Sequence, residues 1–196
     1  FLIRVQHPIF LKFHGLSFID MNYNKNLTLL MDYYPIGSLS KIIDEEEQGK
    51  THDNYDNTKR QIILVGICCG MKILHRHHIL HRDLKPENIL LDENYQPRIS
   101  DVAMTKFFDP QNTMRSDYPS FTYMAPEVIK YNNYNPKSDV YSFGMIMYEI
   151  IMGCRCYSKI IEKKDYNPSQ LKSKILKGLR PDFKVHIQPG LQCLIE

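Results

Sequence analysis

No Gly-x-Gly-x-x-Gly run occurs anywhere in these 196 residues. The triplet Gly49-Lys50-Thr51 carries Asp44 where a Walker loop needs its first glycine, which excludes a P-loop. The apolar run at residues 141–152 falls short of the roughly 20 residues a membrane helix requires, so it reads as a buried core helix. Cysteine is sparse as well. Five, an odd number with no Cys-x-x-Cys, suit a reducing compartment better than a disulfide framework. A net charge of +3 and a pI near 8.5 are too mild to imply nucleic acid. The basic cluster at 159–164 is interrupted by Glu162 and reads as a solvated helix end. Signal peptides, internal repeats and low-complexity tracts are absent from the sequence.

What is present is a chain 43% hydrophobic, enough for a globular core. Apolar segments at 9–16 and 27–31 read as strands. Residues 58–80 follow a helical period that turns Ile62, Val65, Cys69 and Ile73 inward, with Cys68 and Cys69 in the core. Cys154-x-Cys156 reads as an exposed turn, too sparse for a metal site. The polar stretch 44–57, acidic at 44–47, reads as a solvated surface loop. His75, His77, His78 and His81 cluster without the cysteine or carboxylate spacing of a zinc site.

The densest chemistry lies at residues 81–92, HRDLKPENILLD. This segment resembles the catalytic loop of eukaryotic protein kinases, whose pattern H-R-D-L-x-x-x-N is matched at every fixed position. Phosphoryl transfer depends on positioning and charge neutralisation, and the resemblance distributes those tasks. It makes Asp83 the base that orients an acceptor hydroxyl, a task for an ionised carboxylate. Lys85 becomes the point charge on the γ-phosphate, and Asn88 an oxygen ligand for Mg²⁺. Leu90 would floor the adenine.

By the same resemblance, Asp101 in Ile99-Ser100-Asp101-Val102-Ala103 is the second metal ligand, in the place of the kinase D-F-G triplet. Val102 offers less apolar area than the usual Phe against His81, and Ala103 resists backbone states open to Gly. Altered switching with retained metal binding is expected. Tyr123-Met124-Ala125-Pro126-Glu127 resembles the close of an activation segment. A phosphate on Thr113 or Ser116 would pair with Arg82, although serine and threonine are also ordinary loop residues. Ser120 stands where Ser/Thr kinases carry a hydroxyl linking Asp83 and Lys85, and Lys85 itself points to the Ser/Thr class.

In the frame, Asp139 of Ser138-Asp139-Val140 would accept backbone hydrogen bonds from the catalytic loop, which explains an acid ahead of an apolar helix. Met31 would be the gatekeeper behind the adenine, with the backbones of Asp32 and Tyr34 at its edge. Phe13 would join a spine with Val102 and His81. Glu127 would pair with an arginine beyond Glu196. A glycine-rich loop, a strand-three lysine and a helix αC glutamate would precede Phe1, so the chain reads as a fragment, nearly inactive alone.

These resemblances imply an α+β, protein kinase-like fold. Residues 1–34 would be an N-lobe remnant and 35–196 an incomplete, mostly helical C-lobe. Gly178-Leu179-Arg180-Pro181 suggests the tyrosine-kinase-like group. The implied function is a cytoplasmic, ATP- and Mg²⁺-dependent protein serine/threonine kinase acting on protein hydroxyls. The alternative is a pseudokinase scaffold, favoured by Val102-Ala103 and opposed by Asp83, Lys85, Asn88 and Asp101.

Overall fold

The computed structural model describes residues 7–50, 52, 54–101, 119–183 and 192. Thr113, Ser116, Val102 and Ala103 lie outside that set, as do the spine contact expected between Phe13 and Val102 and the phosphate pairing expected of Arg82.

The chain begins with strands β1 (Phe13–Ser17) and β2 (Thr28–Met31), an antiparallel pair whose register shifts between Phe13 and Gly15. The expected strand over 9–16 divides in two. Leu11 N–H donates to the Ile99 carbonyl at 2.9 Å and Ile99 N–H to the Ile9 carbonyl at 2.7 Å, so the first part pairs elsewhere. Its partner is β5 (Pro97–Ile99), the last strand of an antiparallel sheet that also holds β3 (Gly37–Ser38) and β4 (Ile89–Leu91).

Helix α1 covers Leu39–Glu47. The acidic residues 44–47 are therefore its last turn and not a solvated loop. Leu39, Ile42 and Ile43 seat the helix in the core, while Asp44 and Glu46 meet Arg155 and Arg60. The helix replaces the expected loop, while hydration persists: Asp44 keeps 47% of its side-chain surface exposed and Glu47 is exposed.

Helix α2 (Asn57–Arg76) starts at Asp56, whose carboxylate accepts Lys59 N–H at 2.9 Å. Its buried face is Ile63, Ile67, Gly70, Met71 and Leu74, one register away from the expected one. Val65, Cys68 and Cys69 are exposed. The glycines decide the register. A Cβ on Gly66 would lie 2.3 Å from Pro97 Cγ, and one on Gly70 2.4 Å from Ile99 Cδ1. Only a face without side chains there lets the helix lie this close to β5.

After α3 (Pro126–Tyr131) comes α4 (Pro136–Met152), the apolar helix at the centre of the core. Asn135 caps it by accepting Lys137 and Ser138 N–H, and Ser138 Oγ accepts Asn135 N–H in return. It ends at Gly153 in the left-handed conformation (φ +59°), against the Glu46 side chain. Cys154 and Cys156 follow and are buried, contrary to the exposed turn expected for them. The apolar sequence around them continues the core across α5 (Ser158–Ile161), and α6 (Pro168–Leu176) adds Leu171 and Ile175. The result is a mixed α+β architecture, with the polar loop 81–88 held between α2, β4 and α4.

Candidate active site

Loop 81–88 is anchored before it is functional. Asp139, in the first turn of α4, is buried and takes three donors: Arg82 N–H on Oδ1 at 2.9 Å, and His81 N–H at 3.0 Å and His75 Nε2 at 2.9 Å on Oδ2. A buried carboxylate is tolerable when so satisfied, and the helix N-terminus adds favourable dipole. The backbone contacts to His81 and Arg82 were anticipated from the sequence; the His75 bond was not.

His81 is fully buried. Asp83 N–H donates to its Nδ1 at 3.3 Å, which leaves the proton on Nε2 to donate to the Ser100 carbonyl at 3.1 Å. Burial depresses the His81 pKa, and the neighbouring Asp139 and Asp83 carboxylates act against that. A neutral ring thus ties the loop to the residue before Asp101.

The polar side chains then converge. Lys85 Nζ stands 2.9 Å from Asp83 Oδ2 and 3.4 Å from Ser120 Oγ. Asn88 Nδ2 donates to the Asp83 carbonyl at 2.7 Å and to Asp83 Oδ2 at 3.0 Å. The 3-10 turn Pro86–Asn88 makes this possible by folding Asn88 back toward Asp83. Ser120 arrives from a second 3-10 turn, Ser120–Tyr123. Asp83, Lys85, Asn88 and Ser120 therefore form one cluster.

Asp101 follows β5 with a left-handed backbone (φ +56°), a strained state concentrated at functional sites. The residue keeps surface open to solvent, yet protein atoms crowd its carboxyl. That burial raises its pKa, Asp83 adds to the effect, and His81 and Lys85 oppose it. A carboxylate so placed gains from a cation, and the amide oxygen of Asn88 offers a second hard oxygen donor. The donor set fits Mg²⁺. Such an ion, when bound, neutralises phosphate charge.

Beside the cluster a small cleft is lined by Arg82, Asp83, Ser120, Met124 and Tyr134, among others. Arg82 lies with its guanidinium 5.8 Å from the Tyr134 ring centre. Leu90 is the half-buried middle residue of β4, between fully buried Ile89 and Leu91. Met31 is 44% exposed at the end of β2. Asp32 N–H donates to the Lys12 carbonyl at 3.1 Å, and its carboxylate meets His14 Nε2 at 2.5 Å and the Tyr34 hydroxyl at 3.3 Å. Phe13 is half-buried in β1 and Glu127 lies in the first turn of α3.

A polar network escaped the sequence reading altogether. Arg155 and Glu149 are both buried, with Tyr123, Asp44 and Glu87 around them. The available signal was a lone Glu in an apolar helix followed by a lone Arg between two cysteines, since buried charges come paired.

Residues 2–194 match the family model described as protein kinase domain. The chain is 29% identical over 192 residues to a probable serine/threonine-protein kinase of Dictyostelium discoideum, covering 97% of this chain and 14% of that protein. It is 36% identical over 160 residues to cysteine-rich receptor-like protein kinase 27 of Arabidopsis thaliana, covering 79% and 24%. Serine/threonine-protein kinase STY46 of Arabidopsis thaliana is 33% identical over 135 residues, covering 68% and 22%. The chain spans less than a quarter of the length of each of these relatives.

Proposed function

The chain belongs to the protein kinase domain family, and we propose that the full-length gene product containing it is an ATP-dependent protein serine/threonine kinase. The observation that carries this reading is the continuous chain of side-chain contacts from Ser120 to Lys85, from Lys85 to Asp83 and from Asp83 to Asn88. Asp83 orients the acceptor hydroxyl and takes its proton, while Lys85 balances charge on the transferring phosphoryl group. Asn88 and Asp101 would hold Mg²⁺, which would supply charge neutralisation at the phosphates. The Asp32 carbonyl and the Tyr34 backbone border the adenine, with Met31 behind and Leu90 below. Phe13 would join His81 in a hydrophobic spine.

Residues up to 34 belong to a strand-rich lobe and those from 35 onward to a helical lobe. A phosphate on Thr113 or Ser116 would draw on Arg82 for pairing, and Glu127 would pair with an arginine elsewhere in the full-length product. Among the described residues no helix is long and apolar enough to cross a membrane, and we place the catalytic part in the cytoplasm. Ser120 beside Lys85, and the serine/threonine kinases among the relatives, support hydroxyl acceptors on serine or threonine. The test is incubation of the full-length product with Mg·ATP and a mixed protein substrate, followed by phosphoamino-acid analysis. Phosphoserine and phosphothreonine are expected; phosphotyrosine alone, or no transfer, would refute the proposal.

A further inference from the structure

Arg155 sits where four elements meet, and its side chain is only 5% exposed. Its Nε and Nη2 grip Asp44 of α1 at 2.6 and 3.0 Å, a bidentate arrangement that fixes the guanidinium plane. From that fixed plane Nη1 donates to the Tyr123 hydroxyl at 2.9 Å and lies 3.2 Å from Glu87 Oε1. Glu149 of α4 stands 3.6 Å away, and the Tyr123 hydroxyl donates to it in turn. Backbone anchoring completes the fit: Arg155 N–H donates to Glu47 Oε2 at 3.0 Å, and Cys156 N–H to Glu149 Oε1 at 2.8 Å.

Two of these partners belong to the reaction centre's own scaffolding. Glu87 lies in the 3-10 turn between Lys85 and Asn88, and Tyr123 closes the turn that Ser120 opens. One guanidinium nitrogen therefore contacts a side chain from each of the two turns beside the 3.4 Å contact between Lys85 Nζ and Ser120 Oγ.

We propose that Arg155 is a positioning residue for phosphoryl transfer, setting the distance between the catalytic loop and the Ser120 turn and so shaping the place where the acceptor hydroxyl enters. This inference rests on the kinase reading of the site. Lysine cannot substitute, because a point charge cannot hold Asp44 in two bonds while reaching Tyr123 and Glu87. The groups assigned to the nucleotide's metal, Asn88 and Asp101, are not among the Arg155 partners described above, so nucleotide affinity is the internal control.

The experiment measures steady-state transfer to a peptide acceptor by the full-length product, as wild type, Arg155→Lys and Tyr123→Phe. Thermal unfolding of each protein accompanies the kinetics. Loss of one charge-assisted contact should raise KM for the peptide about tenfold in both variants. KM for Mg·ATP should stay within about twofold of wild type. Tyr123→Phe removes only a hydroxyl, so it serves if Arg155→Lys fails to fold. An active wild type whose variants keep the peptide KM, or lose peptide and ATP affinity equally, overturns the positioning role alone. A folded wild type without any transfer overturns the kinase reading and this inference with it.

Discussion

Asp139 holds Arg82 in a backbone conformation that arginine does not choose. Arg82 has φ +68°, and its N–H donates to Asp139 Oδ1 at 2.9 Å across 57 residues of chain. A left-handed non-glycine residue costs roughly 1–3 kcal/mol, which surrounding bonds must offset. The same carboxylate also holds His81, so the loop's shape is imposed from α4. Asp139→Asn keeps the size but turns an N–H₂ toward a backbone donor. A loss of about 2–4 kcal/mol is expected in urea unfolding of this chain, given a buried charged acceptor with three donors. An unchanged midpoint would show that the loop holds its shape without that anchor.

Gly66→Ala should destabilise although alanine is the better helix former. The propensity gain is about 1 kcal/mol. Against it stands a Cβ at 2.3 Å from Pro97 Cγ and 2.9 Å from Pro97 Cδ, ring atoms that cannot rotate away. Overpacking of this kind costs typically about 1–3 kcal/mol, so the net sign is a loss. Thermal denaturation of wild type and variant decides it; a raised midpoint would mean that α2 and β5 separate easily.

Glu149 makes stability depend on pH. Burial raises its carboxyl from the usual 4.5 to about 7, with Arg155 and the Cys156 N–H opposing the rise. The folded state thus keeps a proton that the unfolded state has lost between those values. Its stabilising contribution is complete below the unfolded value and disappears as pH climbs through about 7. Glu149→Gln removes the titration while keeping an acceptor for the Tyr123 hydroxyl. Relative to wild type, the variant should gain on the order of 3 kcal/mol between acid and alkaline sides of this window. Denaturant titrations at both ends measure the gain, and a pH-independent difference would rule out Glu149 as its source.

Much of this was legible in the sequence for a physical reason: chemistry concentrated in a short loop leaves a short pattern. The Asp83, Lys85 and Asn88 cluster and the Asp139 anchor follow from residues 81–92 and 138–140. Register was harder. Helix α2 is apolar on more than one side, so periodicity alone could not choose between Ile62 and Ile63 as the inward residue; the bare surface of Gly66 and Gly70 does. The acidic turn of α1 read as solvated because its partners, Arg60 and Arg155, lie far along the chain. Long-range pairing of charges leaves no local spacing to detect.

Asp101 and Asp83 should separate binding from chemistry. Asp101→Asn in the full-length product should abolish the Mg²⁺-dependent gain in ATP affinity, read by titration calorimetry with and without the metal. Retention of that gain would remove Asp101 from the metal site.

The most direct test is single-turnover phosphate transfer from Mg·ATP to a peptide by the full-length product, wild type against Asp83→Asn. A positioned general base contributes about 10²–10⁴ in rate, so transfer should fall by that factor while ATP binding persists. Transfer by Asp83→Asn at the wild-type rate would contradict the assignment of this loop as the catalytic centre.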